Sequence, residues 1–204
     1  VSPTAESLDV SRETFERLAA FAALLEKWNP RINLVARSTI STLWERHVRD
    51  SLQVFQLLDY PADHWADLGS GGGFPGLVVA ICAAEAGNPA RVTLVESDQR
   101  KATFLRTVLR ELSIPGQVIA RRIETLDPLQ ADILSARALS DLSQLLSFAE
   151  RHLAPGGSCL FPKGKNWESE VQTACEAWQF SYDAIPSITE SDAVILKIRG
   201  LARV

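Results

Sequence analysis

Apolar positions in the first third of the chain recur at helical spacing. Phe15, Leu18, Ala22 and Leu25 fall on one face of a helix that Ser11 can cap. The run Asn29-Pro30-Arg31-Ile32-Asn33 predicts an interruption, because proline constrains the residue before it. A second helical stretch follows from about Ile40 to Leu58. From Trp65 the pattern changes: short apolar runs alternate with amphipathic ones. Strands are expected at 65–68, 91–96, 117–120, 133–136 and 159–161, and helices at 76–86, 100–112, 139–153 and 167–178. Ala154-Pro155-Gly156-Gly157 reads as the close of a helix. The last two strands, 180–185 and 193–198, are joined by a modest loop, which favours an antiparallel hairpin. The pattern predicts an α/β fold: a helical extension over 1–60, then a domain over 61–204 with a mostly parallel, seven-stranded sheet whose last strand is antiparallel.

Composition leaves this reading in place. The chain has 204 residues, 46% of them hydrophobic, enough for one domain core. The longest apolar run, Leu77 to Ala84, is too short to span a bilayer. The start of the chain lacks the basic and apolar regions of a signal peptide, so the cytoplasm is the expected location. Cys82, Cys159 and Cys175 form no metal or redox spacing and read as small apolar residues. The net charge of −4 argues weakly against nucleic acid, but its distribution is uneven. Residues 91–122 hold seven Lys or Arg against three acids, and residues 31–49 hold four Arg against one Glu. A locally basic face is compatible with RNA.

The sharpest local signal is Asp67-Leu68-Gly69-Ser70-Gly71-Gly72-Gly73-Phe74-Pro75-Gly76, at the end of the first strand and the start of a helix. Glycines allow a tight turn and a close ligand, and Pro75 suits a helix start. Such a loop at the carboxyl end of a central strand holds a cofactor. Residues 71–76 formally match the dinucleotide fingerprint, so a NAD-dependent oxidoreductase is the rival enzyme. An acid such as Asp67 beside the loop would repel a pyrophosphate but favour the cationic S-adenosylmethionine (SAM). Glu96, ending the second strand, can accept from both ribose hydroxyls, and Ile123-Glu124, after the third, can border adenine. His47, His64 and His152 are too scattered for a metal site, and no nucleophilic serine motif exists. His64 reads as structural or exposed, and His152 as a helix C-terminal cap. Trp28 and Trp44 suit core packing better than base stacking.

Several ordered blocks stand out: Trp28 to Leu34, Arg46-His47-Val48-Arg49-Asp50-Ser51, the Asp67–Gly76 loop, and Glu96-Ser97 with Lys101 and Phe104-Leu105. Ala136-Arg137-Ala138 and Pro162-Lys163-Gly164-Lys165 complete the set. Together they resemble the bacterial 16S rRNA guanine-N7 methyltransferases, the glucose-inhibited division protein B or methyltransferase G family. The resemblance spans nearly the whole chain, and Gly72 makes the loop one glycine richer than is usual. It implies a class I SAM-dependent methyltransferase fold, a monomer, and methylation of one guanine in the 530 loop of 16S rRNA, with the small ribosomal subunit as partner. It also implies that Asp67, Gly69, Gly71, Gly73, Phe74, Glu96, Ile123, Glu124 and Arg137 bind SAM. Asn33, His47, Asp50 and Arg137 would be catalytic, and Arg46, Lys163 and Lys165 would face RNA.

Guanine N7 has a free lone pair and no proton, so the reaction needs placement more than a general base. Asp50 could offset the charge gained on methylation, or simply pair with Arg46 one helical turn earlier. Arg137 suits guanine O6, a phosphate or the SAM carboxylate. A non-catalytic ribosome-assembly protein that binds RNA is the rival from outside enzymology.

Overall fold

The computed structural model describes residues 3–204. Its helices are α1 (Ala5–Leu8), α2 (Arg12–Ile32), α3 (Asp50–Gln56), α4 (Gly76–Ala86), α5 (Gln99–Glu111), α6 (Leu142–His152) and α7 (Trp167–Ala174). Its strands are β1 (His64–Leu68), β2 (Arg91–Val95), β3 (Gln117–Ile119), β4 (Ala131–Ser135), β5 (Leu153–Lys163), β6 (Trp178–Pro186) and β7 (Val194–Arg203). They form one seven-stranded sheet in the order β3-β2-β1-β4-β5-β7-β6. The strands β1 to β5 run parallel, and β7 is antiparallel to both β5 and β6. The expected hairpin is therefore present, and it inserts its second strand between β5 and β6.

Alternation along the strands explains the layering. Trp65, Leu94, Ile133, Leu160 and Ile195 face one side, where α2 to α5 pack. Ala66, Val95, Leu134, Phe161 and Leu196 face the other, against α6 and α7. Successive strand residues point to opposite faces, so a sheet covered on both sides needs apolar residues at nearly every position. Each large side chain removed from water, such as Phe21 or Trp65 at 0% exposure, contributes about 2–3 kcal/mol. The N-terminal helices share the first of these cores: Leu18, Phe21 and Leu25 of α2 lie with Phe74, Leu77 and Phe104. Trp28 packs on Phe104 and Trp44 stacks on Phe15, as packing residues should.

Four expectations about secondary structure shift. Ser11 does cap α2, accepting from Thr14 N at 3.0 Å. But α2 runs through Pro30 and stops only at Asn33, in the left-handed region at φ 50°. Pro30 sits in the last turn, where it removes a single hydrogen bond. Buried Asn29 holds the exit instead, its Oδ1 accepting from Val35 N at 2.9 Å.

The helix expected over 40–58 is three pieces: a 3-10 segment Arg37–Thr42, a π turn Trp44–Arg49, and α3. Side chains engage the turn's carbonyls: Ser51 Oγ donates to His47 O at 2.6 Å, and Arg137 Nη1 to Arg46 O at 3.3 Å. Wide turns of this kind often carry functional groups.

Residues 154–157 do not end a helix apart from the sheet; they belong to β5, where its register against β4 shifts between Ala131 and Ile133. Such a shift accommodates residues with no partner opposite. Finally, α7 stops at Ala174, four residues short, because Trp178 already pairs with Arg203 in the hairpin. Cys82 and Cys159 are buried, as small apolar residues should be, but Cys175, read the same way, is exposed. No described helix is long and apolar enough to cross a membrane.

Candidate active site

The carboxyl ends of β1, β2 and β4 open into a cavity of about 500 Å³. The loop after β1 forms its floor. Gly69 and Gly71 have φ of 67° and 51°, left-handed values that a side chain disfavours. A Cβ at Gly72 would lie 2.9 Å from the Leu34 carbonyl oxygen, so the additional glycine admits the chain leaving α2. Ser70 N donates to Val95 O at 3.0 Å, pinning the loop to β2. Glu96, 8% exposed, spans its rim: Oε2 accepts from Gly71 N and Oε1 from Asp98 N, both at 2.8 Å. Phe74, Ile123, Glu124 and Arg137, expected at the cofactor, and His47, expected to be catalytic, line the same cavity.

Ile123 is itself held from behind. His152, 0% exposed, meets its carbonyl through Nε2 at 3.1 Å, and that nitrogen must carry the proton. His152 thus grips a loop rather than capping its own helix. His64 is buried likewise, with Nε2 2.9 Å from Thr93 Oγ1.

Asp67 departs from its expected place. Its side chain lies 1% exposed beneath the loop and is not part of the cavity wall. Oδ1 accepts from Ser135 Oγ at 2.6 Å, Ser135 in turn accepts from Trp65 Nε1 at 2.9 Å, and Oδ2 has no hydrogen-bond partner among the described residues. Burial pushes this carboxyl up to about 6, against the pull of the Ser135 hydrogen bond. Parallel pairing causes this: Asp67 lies opposite Leu94 and Ser135, in the middle of the sheet. Gly73 is also outside the wall; its missing Cβ makes room for Leu77, whose Cδ1 would be 2.4 Å away. Asn33 is an exposed helix cap and Lys165 is exposed, and neither borders a cavity of this site.

A second cavity, about 370 Å³, adjoins the first. His47, Arg137 and Ala138 line both and form the wall between them. Arg46, Asp50 and Lys163 line the second. Asp50 does not pair with Arg46. Its Oδ2 accepts from Arg137 Nη1 at 3.2 Å, while Arg46 reaches Glu190 at 2.9 Å. The loop between β6 and β7 closes this side, with Thr189 and Ser187 donating to Asp50 Oδ1 at 3.3 and 3.5 Å. The motif reading missed Glu170, Ser187, Thr189 and Glu190, which also line this cavity. They sit on α7 and a loop without motif-like spacing, so only the folded arrangement finds them.

His47 stacks on Phe74 with ring centroids 5.1 Å apart, and the Arg137 guanidinium lies 5.5 Å from the Phe74 centroid. Arg137 Nη2 donates to His47 Nδ1, so the proton of His47 is on Nε2, which lies 2.9 Å from Thr39 Oγ1. Burial, then the charges of Arg137 and Arg46, pull His47 down to about 4. Burial also lowers Arg137, and Asp50 opposes that shift by favouring the charged form.

His47 makes stability depend on pH. An unfolded histidine takes its proton near 6.5, the folded one only near 4. The contribution of this group to stability is thus complete above pH 6.5 and is lost as pH falls towards 4. In the folded protein His47 stays neutral between pH 6 and 8. Turnover over that interval should show no step owed to His47, and His47→Asn should leave the shape of the pH profile unchanged. A titration step near 6.5 that disappears in His47→Asn would contradict the buried, neutral imidazole.

The sheet order, the glycine loop and the acid ending β2 define the SAM-dependent methyltransferase fold class. A SAM-dependent methyltransferase from Aquifex aeolicus superposes with a TM-score of 0.62 at 12% identity, covering 88% of this chain and 98% of that one. A ribosomal protein L11 methylase from Lactobacillus delbrueckii gives 0.60 at 14% identity, over 78% of each chain. The family model for rRNA small subunit methyltransferase G matches residues 14–197. A ribosomal RNA small subunit methyltransferase G from Ruegeria pomeroyi is 60% identical over 202 residues, covering 99% of this chain and 98% of that protein. One of the same name from a second Ruegeria strain is 54% identical over 97% of this chain and 96% of its own length. The chain belongs to the rRNA small subunit methyltransferase G family.

Proposed function

We propose that this protein transfers a methyl group from SAM to N7 of a guanine in the 530 loop of 16S rRNA, acting as a cytoplasmic monomer on the small ribosomal subunit or its RNA. The observation that carries this reading is the pair of adjoining cavities with a common wall of His47, Arg137 and Ala138. A donor in one and an acceptor in the other would meet at that wall.

The first cavity fits SAM. Gly69 and Gly71 leave room at its floor, Glu96 keeps lone pairs for ribose hydroxyls beyond its two backbone bonds, and Ile123 and Glu124 stand where adenine would lie. When bound, SAM supplies an electrophilic methyl on a sulfonium. Asp67 then acts from below the loop, through its field, not by contact.

Guanine N7 presents a lone pair without a proton, so no side chain has to remove one. Position is the enzyme's main contribution. The guanidinium of Arg137 is fixed by Asp50, His47 and the Arg46 carbonyl, and among the described residues its Nε–H and one Nη2–H have no partner. They are free for guanine O6 or for the carboxylate of SAM. Neutral His47 supports Arg137 as an acceptor and stacks on Phe74; it does not serve as a base. Methylation leaves positive charge on the base, and the Asp50 carboxylate beside the second cavity offsets it. Arg46 and Lys163 border the RNA side and exposed Lys165 is free to meet a phosphate. Asn33 acts by ending α2, which sets the path of Leu34 to Ala36 along the first cavity.

The oxidoreductase and the non-catalytic RNA-binding readings are not favoured, since the family match concerns a methyltransferase over nearly the full chain. The test is transfer of labelled methyl from SAM to unmodified small subunits, with chemical mapping of the labelled base. Label at N7 of one guanine supports the reading. SAM binding with no label on any assembly state would leave the RNA-binding reading.

A further inference from the structure

Adenine and guanine both carry a nucleophilic N7 with the same local geometry. Reaction at N7 by itself therefore does not tell them apart. Selection needs side chains that read other atoms of the base, and the second cavity offers groups that could meet its Watson–Crick edge.

One pair of side chains there has the right unused valences. Lys163 ends β5 and its side chain is 8% exposed; Glu170, in the first turn of α7, is 26% exposed. Lys163 Nζ spends two of its three protons, on Ser140 O at 2.9 Å and on Glu170 Oε2 at 2.6 Å. Glu170 Oε2 also accepts from Leu142 N at 2.8 Å, at the start of α6. Among the described residues, Glu170 Oε1 has no hydrogen-bond partner. The pair is thus rigid, held at both ends, and offers one free N–H beside one free carboxylate oxygen. Leu145 and Val194 provide apolar wall in the same cavity, against which a flat ring can lie.

We propose that Lys163 and Glu170 select guanine by its Watson–Crick edge. Guanine O6 accepts from Lys163 Nζ, while N1–H and N2–H donate to Glu170 Oε1. Adenine presents the reverse pattern. Its amino group would meet an ammonium and its N1 lone pair would meet a carboxylate, so both contacts become repulsive. A site built on buried donors and acceptors discriminates strongly, because the wrong base leaves them unpaired. This inference rests on the guanine-N7 reading above and extends it from the reacting atom to the recognised edge.

The test uses small subunits reconstituted with guanine, inosine or adenine at the target position, and measures kcat/KM for label transfer. Wild-type protein should use inosine, which lacks only the 2-amino group, about tenfold less well than guanine, and adenine about 10³-fold less well. Glu170→Gln replaces the free acceptor by an amide that can donate. It should lower the guanine rate about 100-fold, bring the inosine-to-guanine ratio close to one, and raise adenine relative to guanine. Lys163→Met should lower guanine by a comparable factor with SAM affinity unchanged. Ratios measured on one preparation do not depend on its folded fraction, so a purely structural role would not move them. Wild-type ratios retained in Glu170→Gln would overturn the proposal while leaving guanine-N7 methylation intact. No label at guanine N7 by the wild-type protein would overturn both.

Discussion

Arg137→Ala is expected to lower methyl transfer by about 10²- to 10³-fold, the range lost when one preorganised donor is removed from a charge-stabilising site. Arg137 is the most connected side chain of the site. It lines both cavities, lies over Phe74, and bonds to Asp50, His47 and the Arg46 carbonyl. Truncation removes the free donors and releases the π turn on which Arg46 and His47 sit. It also leaves Asp50 with only the Ser187 and Thr189 hydroxyls, a loss of about 1–3 kcal/mol of stability. The melting midpoint should therefore fall modestly, with the variant still folded at 25 °C. Arg137→Lys keeps the charge but not the planar fork, and should recover a minor part of the activity. Normal turnover by purified, folded Arg137→Ala would remove Arg137 from the mechanism.

Glu96→Ala is expected to weaken SAM binding by about 100-fold or more, measured by titration calorimetry. Two separate losses combine. The cofactor loses an acceptor for its ribose hydroxyls, and the loop loses the carboxylate that bridges Gly71 N and Asp98 N at 2.8 Å each. Hydrogen bonds to a charged group contribute about 1.5–3 kcal/mol each, so losing even one accounts for a tenfold to hundredfold change. Glu96→Gln retains one oxygen acceptor and should fall between the two. An affinity within threefold of wild type in Glu96→Ala would show that the ribose is held elsewhere.

The same residues show where reading a sequence succeeds. The strand and helix alternation after Trp65 was legible because periodicity is local: each segment must match the face it buries. The glycine loop was legible for the same reason, since its left-handed positions constrain residue type within a few positions of chain. Pro30 does not interrupt α2, because it sits in the last turn and the Asn29 side chain supports the chain beyond it, and neither fact is visible to a rule about proline alone.

Partners across elements were not legible. Spacing placed Asp50 one turn from Arg46, yet Arg137, 87 positions away, takes it, and Glu190, 144 positions from Arg46, takes the arginine. Helical spacing defines which residues can meet on one helix; it does not say that a strand end will bring a better-placed charge. Glu170 had no motif to announce it, because its contacts form only where α7, α6 and the end of β5 converge.

The sequence by itself determined the class of fold, the tight glycine loop and the family, all carried by local periodicity, turn chemistry and ordered motifs. Only the tertiary structure decided that Asp67 lies buried beneath the loop, that Asn33 ends a helix, and that His47 and Arg137 form a wall between two cavities. Burial and charge pairing are properties of the space between elements, and that space is defined only once the sheet order is set.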